Sequence, residues 1–319
     1  METTPNLSDR PAQPMTFGMK VGNATVTVVV ESCAPLLALS EIFPDATDSM
    51  LAEIRTGEND AWFDKLTDRL VVAIQGFVVR SEGKIIVVDT CVGDCKSRVR
   101  HGFDHASLGW LDRLAASGTP PECVDTVVCT HFHVDHVGGN TRMVDGRWQP
   151  SFPNARYLFV DAELDFWQGD GAAPGIARTG DYMADSIAPI LDAGLADIVR
   201  GDHRITGEVR LMPTPGHSPG HVCVVIESGD DRAILSGDLF HSPLQCRHPA
   251  LSTRFCDDPA KSAATRTAFV ERHANQPTLV IPAHFPFPSA GRLCRDAHGT
   301  RFEFVAREAL TPVLTDLAS

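Results

Sequence analysis

The chain has 319 residues, 43% of them hydrophobic, with 28 Lys and Arg against 41 Asp and Glu and a formal net charge of -13. That acidic balance repels phosphate backbones, and no basic, aromatic-interleaved stretch offsets it, so nucleic acid is excluded as a partner. No run is apolar enough to cross a membrane, the opening METTPNLSDRPAQPMTFG lacks the apolar core of a secretory leader, and nine cysteines fit a reducing compartment, so we expect a cytoplasmic protein acting on a small molecule.

In chain order, the first twenty residues read as an arm, and residues 25–31 (TVTVVVE) alternate as a strand. Residues 34–66 mix short helical patterns with Pro44 and Gly57, so residues 1–66 are expected as an N-terminal extension packing on or near a catalytic domain of residues 67–319, the whole forming a single structural domain. Residues 70–80 and Lys84–Val88 form a strand pair across the turn Ser81-Glu82-Gly83, and Asp89 ends the second strand. Residues 108–116 form an amphipathic helix stopped by Ser117-Gly118-Thr119-Pro120. Asp161–Gln168 starts another helix with Asp161 as its N-cap, and residues 169–180, rich in Gly and Ala, are expected as a mobile loop near the site. Pro259–His273 is a helix that turns Ala263, Ala264, Phe269 and Val270 to the core.

The chemistry concentrates where strands stop. The apolar run 124–130 leads into His131-Phe132-His133-Val134-Asp135-His136, and Gly138-Gly139 then permits a tight loop. A single histidine beside an apolar strand is usually a satisfied core residue. Three with an aspartate in six residues need a cation to use their lone pairs, and imidazole nitrogen with carboxylate oxygen suits zinc, iron or manganese. Three more strands repeat the pattern: Val209–Pro213 before Thr214-Pro215-Gly216-His217-Ser218-Pro219-Gly220-His221, residues 232–236 before Gly237-Asp238, and residues 278–281 before Pro282-Ala283-His284. Donors placed at strand ends converge on one edge of a layered fold. No Gly-x-Ser-x-Gly elbow offers a competing nucleophile. His101, His105, His203, His248, His273 and His298 stand without partners in sequence and read as surface residues.

HFHVDH, the Gly-His of TPGHSPGH, SGD and PAH, in this order, resemble the metallo-β-lactamase superfamily of dinuclear metallohydrolases over residues 71 onward. Within it, TPGHSPGH, the long N-terminal segment and the stretch from Asp238 to Gln245 are most similar to the acyl-homoserine lactonase and methyl parathion hydrolase-like group. The resemblance implies an α+β fold, a four-layer αβ/βα sandwich with two mixed β-sheets inside and helices outside. It implies two divalent ions, zinc first, with iron, manganese or cobalt as alternatives. His131, His133 and His217 would hold one, Asp135, His136 and His284 the other, and Asp238 would bridge them. Asp135 and Asp238 would thereby be the catalytic carboxylates. Asp89 matches the family's aspartate after an early strand, supporting the ligands, with a plain strand-end turn as the competing reading. His221 reads as structural. His241 and Gln245 match an Asp-x-x-His-x-x-x-Gln segment and would line the pocket, or simply cap a loop.

The implied reaction is hydrolysis by a hydroxide bridging the two ions, opening a lactone or cleaving an ester. The alternatives are an aryl-ester or phosphotriester hydrolase, then an iron-dependent oxidoreductase, then a non-catalytic binding protein. A glyoxalase II reading lacks the helical C-terminal substrate domain. The zinc β-lactamases usually place Cys in the second site, where this chain has Asp238. A homodimer is a further expectation of the resemblance.

Overall fold

Two mixed β-sheets lie face to face in the computed structural model, which describes residues 14–56, 61–169 and 173–312. In the nine-stranded sheet the order runs Ala196–Val199, Arg156–Val160, Thr126–Val128, Lys84–Val88, Arg69–Ser81, Ala24–Ala38, Thr16–Val21 and Thr311–Pro312, with Phe63–Asp64 paired to Arg69–Ser81. Its first four strands are mutually parallel and the others antiparallel. The six-stranded sheet runs Val209–Pro213, Val222–Ser228, Asp231–Leu235, Leu279–Ile281, Gly291–Asp296 and Gly299–Phe304, with one parallel pair between Asp231–Leu235 and Leu279–Ile281.

Alternation along the strands builds the layers, because successive side chains leave a strand on opposite faces. Val26, Val28, Phe77, Val79, Ile86 and Val88 of the first sheet meet Leu211, Val222, Val224, Ile226, Leu235 and Ile281 of the second in one core. Their neighbours Val78, Val87 and Val127 turn outward against Trp110, Leu114 and Leu164 of the covering helices. On the other side Val225, Ile234 and Val280 pack against Phe269 and Val270 of the helix Pro259–His273. Helix, sheet, sheet, helix is the expected four-layer sandwich.

The boundaries shift for local reasons. The strand expected at 25–31 runs on to Ala38, with its register shifting between Val30 and Ser32. The segment read as an extension, residues 1–66, therefore enters the first sheet through Thr16–Val21 and Ala24–Ala38; residues 1–13 and 57–60 lie outside the described ones. The helix expected from residue 108 starts at Trp110, because the N–H groups of Leu108 and Gly109 donate to the Asp94 carboxylate and Gly109 sits at φ 64°. Asp161 is not the N-cap: Val160 occupies that position, and the Asp161 carboxylate accepts from Ala162 N–H one residue on. The loop expected at 169–180 contains the helix Ala173–Thr179, while residues 170–172 fall outside the described set. On Pro259–His273 Ala264 is exposed, and Ser262 and Arg266 share the buried face with Phe269 and Val270.

Candidate metal centre

The strand Thr126–Val128 is short because its continuation is held between the sheets. Thr130 C=O accepts from Val222 N–H at 2.9 Å, and Val128 C=O accepts from Asp89 N–H at 2.8 Å. The loop that follows is pinned to the chain after Asp89: Thr90 N–H donates to His136 C=O, and Gly138 and Gly139 N–H donate to Cys91 and Thr90 C=O. At Gly138 a Cβ would overlap the Val92 carbonyl, so the glycine serves close backbone approach.

Four donors therefore come from this loop of the first sheet, and three from strand ends of the second. Ligand atoms of His131, His133, His217 and Asp238 all lie within 4.8 Å of one another, as do those of Asp135, His136 and His284. Asp238 sits between the groups. Its Oδ2 is 3.1 Å from His217 Nε2 and 3.8 Å from His131 Nε2, and its Oδ1 is 3.0 Å from His284 Nε2 and 3.1 Å from His136 Nε2. Asp135 lies 3.7 Å from His284 Nε2 and 3.9 Å from His136 Nε2.

The rear nitrogens are accounted for. His284 Nδ1–H donates to Ala73 C=O at 2.8 Å. His136 Nδ1 is 2.8 Å from Asp89 Oδ2. Thr130 Oγ1 donates to the same carboxylate at 2.9 Å, which leaves that hydroxyl oxygen to accept from His131 Nδ1–H at 3.1 Å. Asp89 is thus buried and bonded to two of the elements that set ring orientation, well beyond a strand-end turn.

The front atoms are not satisfied. Nε2 of His131 and His136 and Oδ1 of Asp238 are buried without a hydrogen-bond partner, whereas His133 turns its Nδ1 to the cluster, 2.9 Å from His217 Nε2, and its own unpartnered Nε2 towards Asp257. Buried polar atoms without partners are rare and costly, and divalent cations with nitrogen and oxygen ligands would satisfy these three cluster-facing atoms. Burial pulls His131 and His217 well below their ordinary values and His133 down to about 4, so these rings are neutral at pH 7 with lone pairs free. Burial opposes charge at His136 and His284 too, yet the carboxylate of Asp238 holds both above their ordinary value. Positive charge is favoured beside Asp238, as a metal site requires. The donors present fit divalent metal.

His221 stands behind the cluster: its Nε2 accepts from Asp238 N–H at 3.0 Å and its Nδ1 bonds Thr214. His241 joins the cluster, with Nε2 3.2 Å from Asp238 Oδ2 and its ring stacked on Phe255. Gln245 is buried, accepts from His241 N–H and donates to Leu251 C=O, so it shapes the loop carrying His241 and is not among the pocket-lining residues. Among the histidines expected on the surface, His101 is exposed yet lines the cavity in front of the cluster, and His248 bonds Glu53 at 2.9 Å.

Sequence reading missed two acidic groups. Glu163 is buried and accepts four hydrogen bonds: Oε1 from Phe132 N–H and Trp167 Nε1–H, Oε2 from Ser218 Oγ–H and Gly220 N–H. It thereby ties the HFHVDH loop to the TPGHSPGH loop. The available signal was a carboxylate sharing the helix stripe of Leu164 and Trp167. Asp257 lies 3.9 Å from His133 Nε2, and burial pushes its carboxyl up to about 6.

A cavity of about 590 Å³ opens onto His133, Asp135, Asp238, His241 and His284. The model of the metallo-beta-lactamase superfamily matches residues 71–284, a span that contains every donor named above. The chain belongs to that superfamily, and family membership together with its ligand cluster makes it a metallo-hydrolase. A probable metallo-hydrolase, YybB, of Bacillus subtilis (strain 168) is 28% identical over 218 residues, 67% of this chain and 82% of YybB. An N-acyl homoserine lactonase of Bacillus cereus is 30% identical over 122 residues, 38% of this chain and 40% of the lactonase, so the match takes in well under half of that relative. Among solved structures, the hydrolase AbOPH in the beta lactamase superfamily superposes with a TM-score of 0.77 at 22% identity, covering 93% of this chain and 99% of its own. AidC, a dizinc quorum-quenching lactonase in complex with a product, does so with 0.74 at 21%, covering 92% and 99%. These two likenesses speak for the fold.

Proposed function

We propose that this chain opens a lactone or cleaves a carboxylic ester. The observation that carries the reading is the cavity, whose wall of Leu36, Leu37, Ile42, Leu70, Val72 and Ile74 runs up to the donor cluster. An apolar wall beside a few convergent polar groups suits an acyl chain with a reactive carbonyl at one end. The partial match to acyl-homoserine lactonases supports the same substrate class.

His131, His133 and His217 would hold one divalent ion, Asp135, His136 and His284 a second, with Asp238 between them and zinc the metal best suited to the donors. Bound there, the metal would supply a water nucleophile ionised near neutral pH and a Lewis acid for the carbonyl. The chain's own groups do the rest. Asp89 and Ala73 C=O fix the rings of His136 and His284 from behind. Asp135, partly open to the cavity, is placed to take the proton shed by the attacking water and return it to the departing alcohol oxygen. His241 on the cavity wall favours the second reading, an aryl-ester or phosphotriester hydrolase. No helix among the described residues is long and apolar enough to cross a membrane.

The test is kcat/KM of zinc-loaded protein on acyl-homoserine lactones of increasing chain length, aryl esters and dimethyl aryl phosphotriesters. Lactones should lead, with efficiency rising as the acyl chain lengthens. Poor lactone turnover with fast triester turnover would move the chain to the second reading. Full activity in His131→Ala, His217→Ala or Asp238→Ala would remove the metal-centred mechanism altogether.

A further inference from the structure

The same cavity has a second chemical character. Besides its aliphatic wall and the donor cluster it is lined by Arg69, Arg100, Arg178 and Arg254. This gathering occurs in a chain of net charge -13, where chance alone would favour carboxylates around any opening. The four arrive from separate elements: the start of the strand Arg69–Ser81, the loop before Phe103, the helix Ala173–Thr179, and the segment after Thr253.

Among the described residues none of the four makes an ion pair. Within the described residues Arg69 donates only to Leu36 C=O at 3.2 Å, Arg100 lies over the Phe103 ring at 5.2 Å, and neither Arg178 nor Arg254 has a side-chain hydrogen bond. Elsewhere the chain pairs its arginines: Arg55 with Asp68, Arg98 with Asp185, Arg156 with Asp197. Burial pulls Arg100 below its ordinary value, and the charges of Arg254 and Arg69 add to that, while Asp135 and Glu41 oppose it. Arg69 and Arg254 thus repel Arg100 at one opening, an arrangement that an anion in the cavity would relieve.

Their place relative to the reacting end follows from the strand. Ala73 C=O holds His284, and Arg69 lies four residues along the same strand, about 13 Å away at the usual rise. Leu70 and Val72 line the cavity between them. A substrate lying along that wall would place its carbonyl at the donor cluster and its far end at Arg69.

We propose that the cavity takes esters or lactones carrying an anionic group, a carboxylate or phosphate, at the end of the acyl chain remote from the bond cut, with Arg69, Arg100 and Arg254 binding that group. The proposal rests on the ester or lactone hydrolase reading and names its substrate class. A guanidinium binds a carboxylate or phosphate by paired, charge-assisted hydrogen bonds.

The experiment compares p-nitrophenyl hexanoate with mono-p-nitrophenyl adipate, esters of equal chain length differing by one terminal carboxylate, on metal-loaded protein at low salt. The adipate ester should have the higher kcat/KM by about tenfold or more, mostly through KM, and the preference should shrink as salt is raised. In Arg100→Gln/Arg254→Gln, whose melting temperature is checked against the parent, the ratio between the two esters should fall towards one. Equal kcat/KM on both esters, or a preference that survives the double substitution, would overturn the proposal while leaving the hydrolase reading intact. A phosphate-terminated ester outrunning the adipate ester would assign the anion to the phosphate class. If neither ester is cut and acyl-homoserine lactones are not opened either, the hydrolase reading fails; in either case calorimetric titration with adipate decides the anion site: binding that the double variant loses supports it, and absent or unaltered binding overturns it.

Discussion

Glu163 shows how much one side chain does at this site. Its two oxygens take four hydrogen bonds, two from backbone N–H groups, and join loops that carry His131, His133 and His217. In Glu163→Gln the carboxamide presents –NH₂ where one pair of donors points, leaving buried donors unpaired. The expected cost is about 3 kcal/mol in urea unfolding, with metal affinity reduced roughly ten- to a hundredfold; a change under about 0.5 kcal/mol with unaltered affinity would deny the residue this role. Glu31 makes a pH prediction. Burial raises its carboxyl to about 8, although the N–H groups of Val92 and Gly93 pull the other way. The unfolded chain ionises this group near 4.5, so the folded state binds the extra proton and loses stability as pH rises from about 4.5 to about 8. Melting temperatures of Glu31→Gln should therefore gain on those of the parent across that window. A constant gap would contradict the assignment.

Among the elements, the helix Pro259–His273 places a charged residue where periodicity expects an apolar one. Arg266 is buried and donates to Leu239, Pro249 and Leu251 C=O and to the hydroxyls of Ser252 and Ser262, so it organises the segment 239–252 on which His241 sits. Arg266→Leu should cost about 3–5 kcal/mol by stranding those carbonyls and should raise amide hydrogen exchange across 239–252. Unchanged exchange there would show that the segment is held by other contacts. The same helix marks the limit of sequence reading. The strands were legible as apolar runs, and the donors were legible because each follows one, from His131 after Val128 to His284 after Ile281. What lay outside that pattern depended on tertiary partners: the early stop of the 108–116 helix on Asp94, the strand extended to Ala38 by pairing with Arg69–Ser81, and Glu163 bonded to two loops distant in sequence. Gln245 had two readings from its motif, pocket wall or loop cap, and a carboxamide bonded to His241 N–H and Leu251 C=O agrees with the second.

For the whole molecule, the site is a seam between the two sheets. His131, His133, Asp135 and His136 follow a strand of the nine-stranded sheet, and His217, Asp238 and His284 follow strands of the six-stranded one. Metal held by both sets would cross-link the layers, so its binding should add to folding stability as well as to chemistry. The measurement that tests this account most directly follows metal content, melting temperature and ester or lactone turnover together through chelation and zinc return. The account predicts two equivalents of divalent metal per chain, loss of turnover and a lower melting temperature on chelation, and recovery of both on adding zinc. A chelated protein that contains no metal yet keeps its turnover and its melting temperature would contradict it.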